Sequence, residues 1–206
     1  MKILLMNTCG AEGIVALAED GQVTAVELLP GRGTSEHLMP AIRRLFGNRG
    51  LGVQELGAVA VVNGPGSFTG VRVGLSAAKG LCEAGAVPMV ALSRLGLVAG
   101  VEGESVALLD GGRGEFYTGL YKDGVRISEE LLRADDARAM LAGRDAVTCE
   151  PKVAEALGVR LIPEPGPGAM LTLALARITA SDWSDVALTD ANYLRRTDAE
   201  ILVHGR

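Results

Sequence analysis

Between Val59 and Gly85 the chain reads VAVVNGPGSFTGVRVGLSAAKGLCEAG, a stretch that few folds accommodate. Val59, Ala60, Val61 and Val62 form a short run rich in β-branched residues and bounded by turn formers, which predicts a buried strand. Gly64, Pro65 and Gly66 break it. Ser67 or Thr69 is placed to accept the first free N–H groups of a helix, whose spacing runs from Val71 to Glu83. A strand, a glycine corner and a helix N-terminus in succession resemble an anion site, with Gly64, Gly66, Ser67, Thr69 and Gly70 as its candidate residues. The loop is not of the Walker A type, because no Lys-Ser or Lys-Thr follows Gly70, and Gly64-x-Gly66 departs from the dinucleotide fingerprint. The alternative needs no ligand: the glycines let a strand turn into a tightly packed helix.

The helix presents three stripes. Arg72, Ser76, Lys79 and Glu83 form a polar one, and Val71, Leu75, Ala78 and Cys82 an apolar one. Gly70, Gly74, Ala77 and Leu81 make a third, mostly of small residues. A surface helix needs only one apolar face, so the small stripe predicts that another helix approaches closely, from this chain or from a partner.

The length of 206 residues suits one domain or two lobes of about 100 residues each. Hydrophobic residues at 48% and a net charge of −5 exclude a disordered chain. No apolar run approaches the ~18 residues of a membrane span, and the apolar start ends at Asn7, too short for a signal peptide, so a cytoplasmic location is expected. Cys9, Cys82 and Cys149 are scattered, without a CxxC pair or a histidine at metal spacing, so no metal is expected. The two histidines are His37 and His204, and His37 beside Glu36 reads as an exposed helix residue. Acidic balance and few aromatics argue against a direct nucleic-acid reader; Arg43-Arg44 and Arg195-Arg196 read as solvated doublets.

In chain order, residues 3–8, 14–19 and 23–29 read as strands, the last two joined by an Asp20-Gly21 turn. Ser35 is expected to cap a helix reaching about Gly47, with Leu38, Ile42, Leu45 and Phe46 on its buried side. After the glycine corner and its helix come a strand from Val87 to Leu92 and a helix capped by Ser93. The glycines at 100 and 103 mark a lobe boundary, giving lobes 1–104 and 105–206. The order then repeats, with strands at 105–110, 115–121 and 125–131, the last two joined by Asp123-Gly124, a helix at 135–142, a strand ending at Cys149 and a short helix to Leu157. A last helix follows Gly166, Pro167 and Gly168, before a tail carrying Tyr193. Asn7 and Asp110 lie 103 residues apart, as do Asp20 and Asp123. The expected fold class is therefore α/β, a duplicated actin-like and ribonuclease-H-like architecture, each lobe approximately βββαβα, with the tail able to pack back on the first lobe.

Actin-like ATPases hold a magnesium-linked phosphate between two lobes, using the loop after the first strand of each. Here those loops are Asn7-Thr8-Cys9-Gly10 and Asp110-Gly111-Gly112-Arg113-Gly114. An amide at Asn7 cannot supply the charge that holds a hydrated cation. Asp110 joins the candidate nucleotide residues, with a salt bridge to Arg113 or a turn as its alternative roles. No cofactor is expected beyond weak nucleotide binding in the cleft.

The strings ILLMNTCGAEGIVAL, SEHLMPAI, GPGSFTGVRVGLSAAKGL, LLDGGRGEFY and NYLRR together resemble the TsaB family, also called YeaZ. The resemblance implies an actin-like fold that has lost catalysis. It implies a scaffold subunit for threonylcarbamoylation of the tRNA adenosine beside the anticodon, activating the TsaD transferase together with the TsaE ATPase and reaching tRNA indirectly. By position it also implies a partner surface on the first two helices, at Leu38, Met39, Ile42, Phe46, Val71, Gly74, Leu75 and Ala78, used for TsaD or, when alone, for a homodimer. Departures are Asn7 for the family's aspartate, Thr34 for a frequent histidine, Ala191 for a common proline, and the absence of TsaD's paired metal histidines. The rival readings are a weak ATPase or a glycoprotease-like peptidase using the cleft between the lobes, and a simple homodimeric module.

Overall fold

Two hairpins set the pattern of the chain. Asp20-Gly21 (φ 50° and 80°) and Asp123-Gly124 (φ 50° and 76°) both adopt the left-handed conformation of a tight two-residue turn, as their sequence predicts. The computed structural model describes residues 1–31 and 33–194. The Arg195-Arg196 doublet and His204 lie outside the described residues.

Strands β1 (Lys2–Asn7), β2 (Gly13–Glu19) and β3 (Gln22–Leu29) are followed by α1 (Thr34–Gly47), β4 (Ala58–Val62), α2 (Phe68–Gly85), β5 (Met89–Leu92) and α3 (Arg94–Ala99). The second half repeats this order with β6 (Glu104–Gly112), β7 (Glu115–Lys122), β8 (Val125–Arg133), α4 (Ala134–Leu141), β9 (Asp145–Thr148), α5 (Pro151–Leu157), β10 (Arg160–Leu161) and α6 (Pro167–Thr179). The sheets are ordered β3-β2-β1-β4-β5 and β8-β7-β6-β9-β10. In each, the first three strands in sequence pair antiparallel and the remaining neighbours parallel. Each half therefore carries one strand and one helix beyond the βββαβα unit. The two residues of β10 are too few to leave a strand pattern in sequence.

The central strands read as unbroken apolar runs because both of their faces are covered. Leu4, Met6, Val59 and Val61 face a cluster formed with α1 and α2, while Ile3, Leu5, Ala58, Ala60 and Val62 face the opposite way. That second cluster is completed by Met170, Leu171 and Ala174 of α6. Conversely, Leu95 and Val98 of α3 pack on the second sheet with Ala107, Leu109, Tyr121 and Val147, whose other face is covered by Ala137 of α4 and Val153 of α5. Each half thus lends its last helix to the other half's sheet, and α3 touches α6.

Two expected caps differ. Helix α1 begins at Thr34 after Gly33 (φ 78°), without a side-chain cap at Ser35; Glu36 N and His37 N donate to Gly33 O instead. Ser93 precedes α3 but does not cap it, since its hydroxyl donates to Glu129 across the halves.

Candidate functional site

The glycine corner is built onto the end of β1. Ser67 caps α2 by accepting from Gly70 N at 3.2 Å, while Thr69 is exposed on the first turn. Ser67 N donates to Cys9 O at 3.0 Å, and the Thr8 hydroxyl donates to Gly70 O at 2.6 Å. A Cβ at Gly66 would lie 2.4 Å from Cys9 O, one at Gly70 2.0 Å from Thr8 O, and one at Gly74 2.2 Å from Thr8 Oγ1. The small stripe is thus met by two neighbours of the same half: Thr8 at Gly70 and Gly74, and the core shared with α1 at Ala77 and Leu81. The room left by the missing side chains at Gly66, Gly70 and Gly74 holds the backbone of residues 8 and 9 and the Thr8 hydroxyl. Gly64 (φ 109°) accepts Arg94 N at 2.7 Å, which ties the corner to the start of α3.

The two cleft loops are also engaged internally. Asn7 is buried, and its amide oxygen accepts Cys9 N at 3.0 Å. Asp110 is exposed, and its carboxylate accepts Gly112 N at 2.7 Å, so it forms the turn rather than a bridge to Arg113. Burial pushes the Cys9 thiol up to about 12. The Cys149 thiol is likewise pushed up to about 12, by burial first and then by its bond with Glu164. Neither is a ready nucleophile at neutral pH.

Sequence reasoning missed the charged network behind these loops. Arg94 is only 5% exposed. Its Nε and Nη2 donate to Glu164 at 3.1 and 2.9 Å, and its Nη1 to Glu150 at 3.1 Å. The second oxygen of Glu150 accepts Asp110 N at 2.6 Å. Burial alone would lower the pKa of Arg94, but the Glu164 carboxylate outweighs it and raises the value, so the guanidinium stays charged. Two carboxylates thus surround the one guanidinium of Arg94. The one signal in sequence is a charged residue opening an otherwise apolar segment, Arg94-Leu95-Gly96-Leu97-Val98.

A buried carboxylate, Glu129 on β8, accepts the hydroxyls of Ser93 and Tyr121 and, at 2.7 Å, the side-chain amide of Asn192. Asn192 N in turn donates to Asn63 O at 2.8 Å. Residues 93 and 94 thus join the halves through two carboxylate networks. Among the described residues, no group of three or more His, Cys, Asp or Glu side chains converges as a metal-holding set.

The expected partner residues separate by burial. Leu38, Ile42, Val71, Gly74, Leu75 and Ala78 are buried within the first half, because the apolar faces of α1 and α2 cover the sheet, so none of them presents a surface. Met39 is exposed and Phe46 half-buried. The outward face of this helix pair also carries Arg43, Ser76 and Gly80, with Val73 and Ala77 half-buried. No helix among the described residues is long and apolar enough to cross a membrane.

Two halves of one strand order define a duplicated ribonuclease-H-like protein of the actin-like class. The YeaZ structure from Pseudomonas aeruginosa superposes with a TM-score of 0.77 at 24% identity, covering 94% of this chain and 99% of that one. Residues 29–145 match the family TsaD: tRNA N6-adenosine threonylcarbamoyltransferase. The Bacillus subtilis tRNA threonylcarbamoyladenosine biosynthesis protein TsaB is 30% identical over 179 residues, 78% of either chain. The Escherichia coli protein of the same name is 38% identical over 96 residues, which span 46% of this chain and 41% of that one. The chain belongs to the TsaB (YeaZ) family.

Proposed function

We propose that this chain is a non-catalytic subunit in the formation of threonylcarbamoyladenosine beside the tRNA anticodon, pairing with a TsaD-type transferase and with the TsaE ATPase in the cytoplasm. Its B. subtilis and E. coli relatives are named for that biosynthesis, and more than half of the chain matches the transferase family itself. One observation carries the non-catalytic reading. The positions from which an actin-like enzyme would hold metal and phosphate are engaged in internal bonds: Asn7 on Cys9 N, the corner glycines against Thr8 and Cys9, Asp110 on Gly112 N. A phosphate entering the cleft would also meet Glu150 and Glu164 beside a single, already paired Arg94.

In this role the chain holds the transferase in its active arrangement, through the outward face of α1 and α2 around Met39 and Phe46, and forms a homodimer on that face when alone. It reaches tRNA through its partners. The test is reconstitution of tRNA modification from purified transferase, TsaE and their small-molecule substrates. Product should form only when this chain is added, and the chain by itself should turn over neither ATP nor peptide. Full modification without it, or turnover by the isolated chain, refutes the proposal.

A further inference from the structure

We propose that Phe68, Arg72 and Tyr193 form a preorganised anchor that grips a carboxylate set in an apolar patch of the transferase; this rests on the pairing proposed above. Phe68 and Tyr193 are 59% and 46% exposed, unusual for large aromatic side chains in a chain with so few. The two ring centroids lie 6.0 Å apart with the planes tilted by 39°, and the Arg72 guanidinium closes the triangle, 3.7 Å from the Phe68 centroid and 5.5 Å from that of Tyr193. Its Nε donates to the Tyr193 hydroxyl at 2.5 Å.

Phe68 and Arg72 stand on the first turns of α2, whereas Tyr193 is delivered from 121 residues away. The adjacent Asn192 is held by Asn63 O and Glu129, and Asp190 O accepts the Asn63 side chain. The chain thus fixes an exposed cluster of Phe68, Arg72 and Tyr193. An arginine immobilised beforehand loses less freedom on association. Aromatic residues and arginine are also the types that dominate binding hot spots. Among the described residues no carboxylate pairs with Arg72, and the groups that meet its guanidinium there are two ring faces and a hydroxyl. The complementary surface must supply an acidic group, with an apolar floor for Phe68.

The experiment measures the affinity of the full chain for the purified transferase by calorimetry at two salt concentrations. Phe68→Ala and Arg72→Glu should each weaken binding about 30-fold or more. Tyr193→Phe, which removes only the hydroxyl that orients the guanidinium, should weaken it about 5-fold. All three should keep the parent melting temperature, and the salt dependence of the parent should be reduced in Arg72→Ala. A complex indifferent to all the substitutions overturns the anchor alone, whereas no complex with the parent chain overturns the pairing as well. Two further outcomes overturn the anchor: tighter pairing by a chain ending at Leu194, which would mean that residues 195–206 already fill the patch, and loss of tRNA binding instead of transferase binding in Arg72→Glu.

Discussion

Gly70→Ala separates the two uses of a glycine corner because they predict opposite signs. If the glycine left room for a ligand, a methyl group would meet nothing in the free chain, and alanine's helix propensity would stabilise the fold by up to about 1 kcal/mol. In this structure the new Cβ would lie 2.0 Å from Thr8 O, 3.1 Å from the Thr8 carbonyl carbon and 3.2 Å from Ser67 Oγ. Ordinary contact begins at about 3.5 Å, so α2 must retreat from the end of β1 by more than about 1 Å. That movement stretches the 2.6 Å bond from the Thr8 hydroxyl to Gly70 O out of range and leaves a buried hydroxyl unpaired. The unpaired group costs about 1–3 kcal/mol and the overpacking about 1–3 kcal/mol. After the gain in propensity of about 1 kcal/mol, a net loss of about 1–5 kcal/mol is expected. Gly80 supplies the control: it lies in the same helix, and a Cβ there meets nothing within 4 Å. Gly80→Ala should gain up to about 1 kcal/mol. Urea unfolding with an unchanged m-value measures both. A Gly70→Ala variant as stable as its parent, or two alanine variants shifted in the same direction, would refute the packing argument.

Arg94→Met should destabilise the chain by about 3 kcal/mol, the low end for a broken buried pair, because Glu150 and Glu164 keep some access to water; an unchanged melting temperature would count against the clamp. Cys9, Cys82 and Cys149, pushed up to about 12, 11 and 12 by burial, should resist a thiol reagent at pH 8 in the native chain and react together in urea. Their folded pKa values lie above the ordinary 9.0, so the stability they contribute is complete below pH 9 and falls as pH rises towards 12, which urea midpoints across that range would register. Glu129→Gln keeps an oxygen for Ser93 and Tyr121 but turns an amide toward the Asn192 amide, so amide exchange at Asn192 should accelerate, whereas β2, two strands away from β4 in the first sheet, should exchange as before.

What could be read from the sequence was local. The Asp-Gly hairpins, the Ser67 cap and the apolar stripe of α2 each depend on neighbours within one or two turns, and the shared spacing of 103 residues carried the duplication. The small stripe announced a close approach but could not name what approaches, because Thr8 lies 62 residues before Gly70. The same gap misdirected the partner surface: periodicity identifies an apolar helix face, and in a lobe with its own sheet that face belongs to the core before it can belong to an interface. Gly74→Arg would accordingly strike Thr8 and unfold the corner rather than test pairing. Arg94 was invisible for a related reason. Its partners, Glu150 and Glu164, lie 56 and 70 residues further on, and only the exchange of helices between halves brings them together.

That exchange also explains why the joint at Ser93 and Arg94 is so heavily bonded. The chain leaves β5 there and crosses at once to the other half's sheet, so whatever fixes these two residues fixes the lobes to one another. Ser93 is held by Glu129, Arg94 N by Gly64 O and the Arg94 side chain by Glu150 and Glu164, which joins the glycine corner, the last strand of the first sheet and the ends of the second in one network. A two-lobed enzyme that closes over a nucleotide needs freedom at this joint. Here a phosphate would have to displace a carboxylate from Arg94 and then sit beside it. Two like charges about 4 Å apart repel by about 4 kcal/mol at a surface-like dielectric, before any desolvation is counted. Under the proposed function, the bonds that tie the lobes together at this joint are the same ones that surround Arg94 with carboxylates, so the Arg94→Met variant tests both at once.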